Sequence, residues 1–540
     1  MNLAGSRRAA GLTAILASVI ATSAAAQTLT VGDPLEDYLR VLQISGRADG
    51  LGSFTVRPLA VDPPEARLPA GAHPWADHLD AASPPRTEGA LRVGLAYPQL
   101  RAFANARFPV GRNDGVVWQG KGLTTALDVG ATLEWRALSI EVRPTLVFTQ
   151  NASYDLAPVS VSGMPPYAYP WRKIDWPQRF GPDAFWTLDP GQSEARVDAH
   201  GLSLGFGTKN LWWGPAIRSP IAMSNNAPGF PHAFLGTDGP FGIGIGDLES
   251  RWIWGRLQQS NWFDPNAASD DRFVTGIVLT YSPSFVEGLS LGATRLFYVL
   301  VRDDGVRLGD YFAIFQGVRK RTLITPDNPT GDDEHDQMIS AFGRWVLPES
   351  GFEVYGEWAR NDHIFELRDF LLEPEHSQAY TLGLRKSFDW PADRLLVFTG
   401  ELTRLERSTT LQVRATPAYY THHIVTQGYT QKGQIIGAGI GPGGNAQSLS
   451  LDLYAPWGRA STWVERQVHD NDAYYEWAAA NNQTYCCHNV SFHWGSQALL
   501  FVDDLELGAG MIVTREFNRY FYGLDLWNLN LSLSARWRPR

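Results

Sequence analysis

Cysteine is almost missing from this 540-residue chain: there are two, side by side at Cys486 and Cys487. A scaffold stapled by disulfides needs more. A zinc site takes about four ligands, and only His488 stands beside the pair. Long apolar runs are missing as well. After the first residues no window approaches about 18 uninterrupted apolar positions, so no transmembrane helix is predicted. Nor is there a basic surplus: the formal net charge is −10 with both signs interspersed, which disfavours nucleic acid as a partner. The chain shows no nucleophile elbow and no His-Glu-x-x-His, and Gly441-Pro442-Gly443-Gly444 lacks the Lys-Ser/Thr of a phosphate loop. No cofactor and no resident metal are expected.

What the chain does have is tryptophan, 20 of them, with 19 tyrosines and 26 phenylalanines. Such residues form interfacial girdles on outer-membrane barrels and stack on sugar rings in carbohydrate binders. The first residues indicate export: Arg7 and Arg8 precede an apolar run from Ala9 to Ile20, and Ala24-Ala25-Ala26 offers a cleavage site, so 1–26 reads as a signal peptide. Next, Asp33 to Asp49 reads as an amphipathic helix. Asp33 caps it, Pro34 suits its first turn, Leu35, Leu39 and Leu42 make its apolar side, and it stops near Gly46. A proline-rich stretch with a short helix around Trp75 to Leu79 follows, so 27–85 is expected to be a small periplasmic unit, helical or irregular.

From about Leu91 the period changes to two. In "LTTALDVGATLEW", Leu123, Leu127, Val129, Leu133 and Trp135 share one face, and Thr124, Asp128, Thr132 and Glu134 the other. "SLSLDLYAPW" and "NLNLSLSARW" alternate in the same way. Segments of about ten residues, joined alternately by tight turns and long irregular loops, fit strands that cross a bilayer at a tilt. Tight turns fall at Arg136-Ala137, His200-Gly201, Ser282 to Glu287, Leu347 to Gly351, Asp389 to Asp393, Pro456 to Arg459 and Asp503-Asp504. Two weaker hairpins lie near Asp247 to Ser250 and Asn261 to Asp271. The predicted fold is all-β: a transmembrane antiparallel barrel of about 18 strands over 86–540, in a bacterial outer membrane, with short turns periplasmic. The irregular stretch from Lys209 to His232 leaves the strand that starts at Leu202 and is placed at the outer rim.

Three segments resemble the capsule assembly Wzi family. "LWWGPAIRSPIAMSNNAPGFP" carries its Trp-Trp-Gly-Pro and Ser-Asn-Asn-Ala pattern. "YYTHHIVTQGYTQKGQIIGAGIGPGGN" carries its His, Gly-Tyr and Gly-Pro-Gly region, and "YLRVLQISGRA" followed by "SFTVRPL" resembles its N-terminal unit. The resemblance implies a lectin-like, non-catalytic barrel that binds and organises capsular or exported polysaccharide at the cell surface. Its partners would be that polymer, outer-membrane lipid and lipopolysaccharide, and the export machinery.

Candidate polysaccharide contacts follow. Trp212 and Trp213 can stack on sugar faces or pin the loop across the barrel mouth, and Gly214 and Pro215 favour the second. Ser224, Asn225 and Asn226 can read hydroxyls or satisfy their own loop's backbone. Arg319, Lys320 and Arg321 make a basic run suited to anionic sugars, lipopolysaccharide phosphates or plain solvation. His422 and His423, on an extended chain, would point apart and so serve in hydrogen bonding, not on one ion. Tyr429 adds an aromatic. A sugar-permeable porin is the alternative function; a barrel hydrolase has no motif in its favour.

Overall fold

The computed structural model describes residues 27–61, 73–80, 91–264, 271–317, 334–361, 366–412, 414–479 and 487–538. The expected signal peptide and the run Arg319, Lys320, Arg321 lie outside the described residues. Among the described residues, eighteen antiparallel strands close into a barrel. The first six are β1 (Arg92–Asn105), β2 (Gly122–Trp135), β3 (Leu138–Val142, continued by Thr145–Thr149), β4 (Phe185–Asp189, continued by Glu194–Ala199), β5 (Leu202–Gly207) and β6 (His232–Thr237). Then come β7 (Gly246–Gln258), β8 (Asp271–Pro283), β9 (Leu289–Leu300), β10 (Asp336–Leu347), β11 (Phe352–Asn361) and β12 (Gln378–Trp390). The last six are β13 (Arg394–Arg404), β14 (Asn445–Ala455), β15 (Gly458–Val468), β16 (Val490–Val502), β17 (Leu505–Arg519) and β18 (Leu524–Trp537). Closure sets β18 on β1, with Asn530 opposite Asn105 and Ser532 opposite Phe103.

The period of two builds this wall. On β2, Leu123, Leu127 and Val129 are exposed outward while Thr124 and Asp128 are buried, and on β18 Leu529, Leu531 and Leu533 face out while Asn528 and Asn530 are buried. An apolar outer belt with a polar lumen is what a lipid bilayer requires of a closed sheet. His200 and Gly201 both take positive φ, 54° and 81°, so β4 and β5 join through the two-residue turn that matches strand twist. One expectation shifts: the hairpin near Asp247 to Ser250 lies inside β7, its turn falling earlier at 243–245, whereas the one near Asn261 to Asp271 falls on the connection between the paired strands β7 and β8. A connection over 106–121 and a tight outer turn over 520–523 were not read from the sequence.

The amphipathic helix forms as α1 (Pro34–Ile44), with Asp33 Oδ1 accepting from the Leu35 N–H at 2.9 Å. The described residues of the N-terminal segment, 27–61 and 73–80, sit inside the barrel at the end that carries the short turns. Tyr38, Leu39 and Leu42 pack with Trp75, the residue before α2 (Ala76–Asp80), and with Leu395, Val397 and Tyr454 of the wall. An eleven-residue helix cannot hold itself in water, and the lumen covers its apolar side. Its charged side meets wall arginines and carboxylates: Arg40 pairs with Glu353, which also takes Arg344 at 2.9 Å, and Asp37 lies 2.9 Å from Arg385. Burial alone would raise the Asp37 carboxyl, but Arg385, Arg459 and the Tyr454 hydroxyl hold it well below the usual carboxylate range.

Candidate functional site in the outer cavity

Residues 208–231 leave β5 at the outer rim and then turn inward, not into the extracellular medium. Trp212 and Trp213, 4% and 0% exposed, pair as a short ribbon with Arg57 and Val56 of the N-terminal unit. The Arg57 guanidinium lies 4.6 Å over the Trp212 ring, whose Nε1 donates to the Ala216 carbonyl at 3.0 Å. The inward course has a clear cause. Trp213, Ile221, Met223 and Phe230 bury together with Tyr420 and Tyr429 of the 405–444 connection, against Leu296 and Phe342 of the wall. Glu401 fixes the bend, its carboxylate accepting from the N–H groups of Ile217 at 2.7 Å, Arg218 at 3.1 Å and Ser219 at 2.9 Å, and from the Tyr355 hydroxyl at 2.7 Å.

The other sequence candidates join this plug. Ser224 Oγ donates to the Gly437 carbonyl at 2.7 Å, Asn225 Nδ2 to Asn113 O at 3.0 Å, and Asn226 Nδ2 to Ile435 O at 2.9 Å. Tyr429 is fully buried and its hydroxyl donates to the Ala222 carbonyl at 2.9 Å. The extended-chain argument for the histidines fails here: the loop is irregular, and the rings of His422 and His423 pack 4.5 Å apart. His422 is buried and its Nδ1 accepts from the Val425 N–H at 3.2 Å, whereas His423 is exposed. Among the described residues no three potential ligands gather for a metal. Cys487 is disulfide-bonded; the chain's other cysteine, Cys486, lies outside the described residues. The string Gly-x-Ser-x-Gly does occur, at 201–205 and 288–292, but Ser203 and Ser290 are buried strand residues with no helix behind them, so neither makes an elbow.

Beside the plug, against β15 to β18, a cavity of about 650 Å³ remains. Of the sequence candidates among the described residues, only Asn226 reaches its wall. Its aromatic faces come from Trp118, Tyr154, Trp176 and Tyr520, all partly exposed. Trp176 stacks on Tyr169 at 5.1 Å, and a Cβ added at Gly441 (φ 77°) would collide with its indole, so that glycine sets the ring's position. Planar amides alternate with the rings: Gln119, Gln178, Gln434 and Gln467 line the same space. Charge is supplied in pairs. Arg112 and Arg218 share Glu465, the second at 3.1 Å, and Arg218 lies 4.2 Å over Trp463; Arg172 holds Asp470 at 2.7 Å, and Arg519 holds Glu516. Burial pulls His469 below the ordinary imidazole value, and the ring lies 2.7 Å from Ser491 Oγ. Burial likewise pushes Asp472 up to about 6, with Arg407 pulling against it. Stretches such as "YAYPWRKIDWP" at 167–177, dense in rings within a long connection, were the available signal for this site.

The sequence profile of the family described as capsule assembly protein Wzi matches residues 101–454, well over half of the chain. The chain belongs to the capsule assembly protein Wzi family. Among solved structures it is similar to Wzi of Escherichia coli, described as an outer-membrane protein involved in group 1 capsule assembly and a carbohydrate-binding β-barrel. That likeness has a TM-score of 0.60 at 12% identity and covers 95% of this chain and 99% of that one. Two further structures, OccK2 (OpdF) of Pseudomonas aeruginosa and OccAB2 of Acinetobacter baumannii, align at 12% and 11% identity with TM-scores of 0.39 and 0.40. Each covers 82% of this chain and 97% of the other. No curated protein sequence matches the chain significantly. This Wzi-family barrel is an outer-membrane protein.

Proposed function

We propose that the outer cavity binds a stretch of capsular or other exported polysaccharide and so holds the polymer at the cell surface. The observation that carries this is the lining itself. Partly exposed indole and phenol faces stand beside planar amides and arginine-carboxylate pairs, the set that recognises a ring with one C–H face and many hydroxyls. Carbohydrate binding is named for the Escherichia coli relative. The reading is non-enzymatic: at the cavity Glu465, Asp470 and Glu516 are each held by arginine, and Asp114, which has no arginine ion pair among the described residues, accepts from Gln119 Nε2 at 2.7 Å. A lumen filled by the plug and the N-terminal unit supports binding over the porin alternative. The aliphatic belt would sit among lipid and lipopolysaccharide, and export machinery would deliver the polymer.

The test is binding of polysaccharide fragments to the purified barrel, with Trp176→Ala as the probe. Loss of one stacking face is expected to weaken binding roughly tenfold, equivalent to about 1.4 kcal/mol. In cells, deletion should leave polymer synthesis intact and release polymer to the medium. Undiminished affinity in Trp176→Ala together with unchanged cell-bound polymer after deletion would remove the proposal.

A further inference from the structure

The outer cavity does not end at the plug. A second cavity of about 320 Å³ lies below it, and Phe103, Asn113, Asp114, Gln497 and Ser532 line both. A third, water-sized void of about 10 Å³ follows toward the periplasmic rim and shares Asp33, Pro34 and Leu499 with the second. The three form a file along β16 to β18 and β1, where the wall's inner face is polar. At its foot the file is shut by a cluster centred on Glu506. That carboxylate meets the His78 ring at 3.1 Å, Arg536 at 3.2 Å and Arg538 at 3.4 Å, while Arg536 also binds Asp33 at 2.9 Å. His78 and Asp33 belong to the N-terminal unit and the others to the wall, so these ion pairs latch one to the other.

One arginine of the middle cavity is in no ion pair among the described residues. Arg101 pairs with Asp128 at 3.1 Å, Arg459 with Asp452 at 3.0 Å, and Arg536 with Asp33. Arg143 is 9% exposed and pairs with no carboxylate among the described residues; its guanidinium reaches the Thr30 hydroxyl at 3.3 Å and its Nε has no partner. A buried, unpaired guanidinium in a polar chamber is costly unless an anion or water meets it. At the neck, Asp114 accepts from Gln119 Nε2 at 2.7 Å.

We propose that this file is a side passage for small hydrophilic anions, with Arg143 as the intermediate binding point and the Glu506 cluster as its periplasmic gate. The full-length protein in planar bilayers tests it, with folding of every variant checked by its heat-dependent gel mobility. Wild type should give small steps that favour chloride over potassium. Glu506→Gln should raise the mean current about fivefold by loosening the gate, and Arg143→Gln should lower the chloride preference about threefold. Ser532→Trp, which narrows the shared wall without touching the gate, should abolish the steps. The proposal is overturned by currents no larger than those of protein-free bilayers in both wild type and Glu506→Gln. Steps that persist in Ser532→Trp, or a chloride preference indifferent to Arg143→Gln, overturn it equally, since they would place the current elsewhere.

Discussion

The two sides of the barrel lumen are built on opposite principles. On β7 to β10 the inner face carries an apolar band: Ile253, Leu257, Val274, Val278, Leu296 and Phe342 are at most 5% exposed and pack against the plug, beside Arg272, which donates to its Gly428 carbonyl at 2.6 Å. On β16 to β18 and β1 the inner face is amide and hydroxyl, with Gln497, Ser532, Asn530 and Asn105, and the cavities lie there. The dry side fixes the inward loops 208–231 and 405–444 by dispersion and burial, and the wet side leaves room for a hydrated ligand. A plug packed on all sides would leave no binding site; one packed on none would leave a pore.

The comparison breaks most visibly on the dry side. Leu296→Ala removes buried volume from a region with no water to refill it, and should cost about 3 kcal/mol. A lowered denaturant midpoint, with faster proteolysis of the 208–231 and 405–444 loops, would register it. No loss of stability would mean that the plug rests on the wall without being packed on it.

These two sides were unequally legible. Strict alternation in "NLNLSLSARW" exposes the wet wall directly, because lipid outside and water inside demand opposite residue classes. The segment of β8, "DRFVTGIVLTYSP", has apolar residues on both faces, and Val274 and Val278 on its inner face make sense only once the plug is known. The strand count, most turns and the capped helix α1 rest on local patterns and were readable. The inward course of Trp212 and Trp213 was not: it depends on Val56 and Arg57, more than 150 residues away, a long-range contact with no local signal. For the same reason the cavity's rings, Trp118, Trp176 and Tyr520, come from three separate connections that only closure of the barrel brings together.

Acidity sharpens the comparison at the outer end. Asp472 is raised from an ordinary carboxylate value to about 6, so the folded loop holds its proton more tightly than the unfolded chain does. Its contribution to stability is therefore complete below about pH 4 and is lost as pH rises through about 6. After correction for intrinsic rates, amide protection over 470–473 should be several-fold higher at pH 5 than at pH 7.5, and Asp472→Asn should flatten the difference. Protection that instead rose with pH would mean that the Arg407 ion pair, 3.3 Å away, outweighs burial.

The smallest effect is expected on the wet wall, and its smallness is informative. Ser532 is partly exposed on the inner face and borders both larger cavities. Ser532→Ala removes a hydroxyl that water reaches, so it should change stability by no more than about 0.5 kcal/mol, as solvent-exposed substitutions usually do. Set against Leu296→Ala in the same denaturant series, the pair measures the contrast between the two sides with the barrel as a shared background. A loss at Ser532 as large as that at Leu296 would mean that the cavities close around that hydroxyl in the membrane, leaving the polymer only the rim.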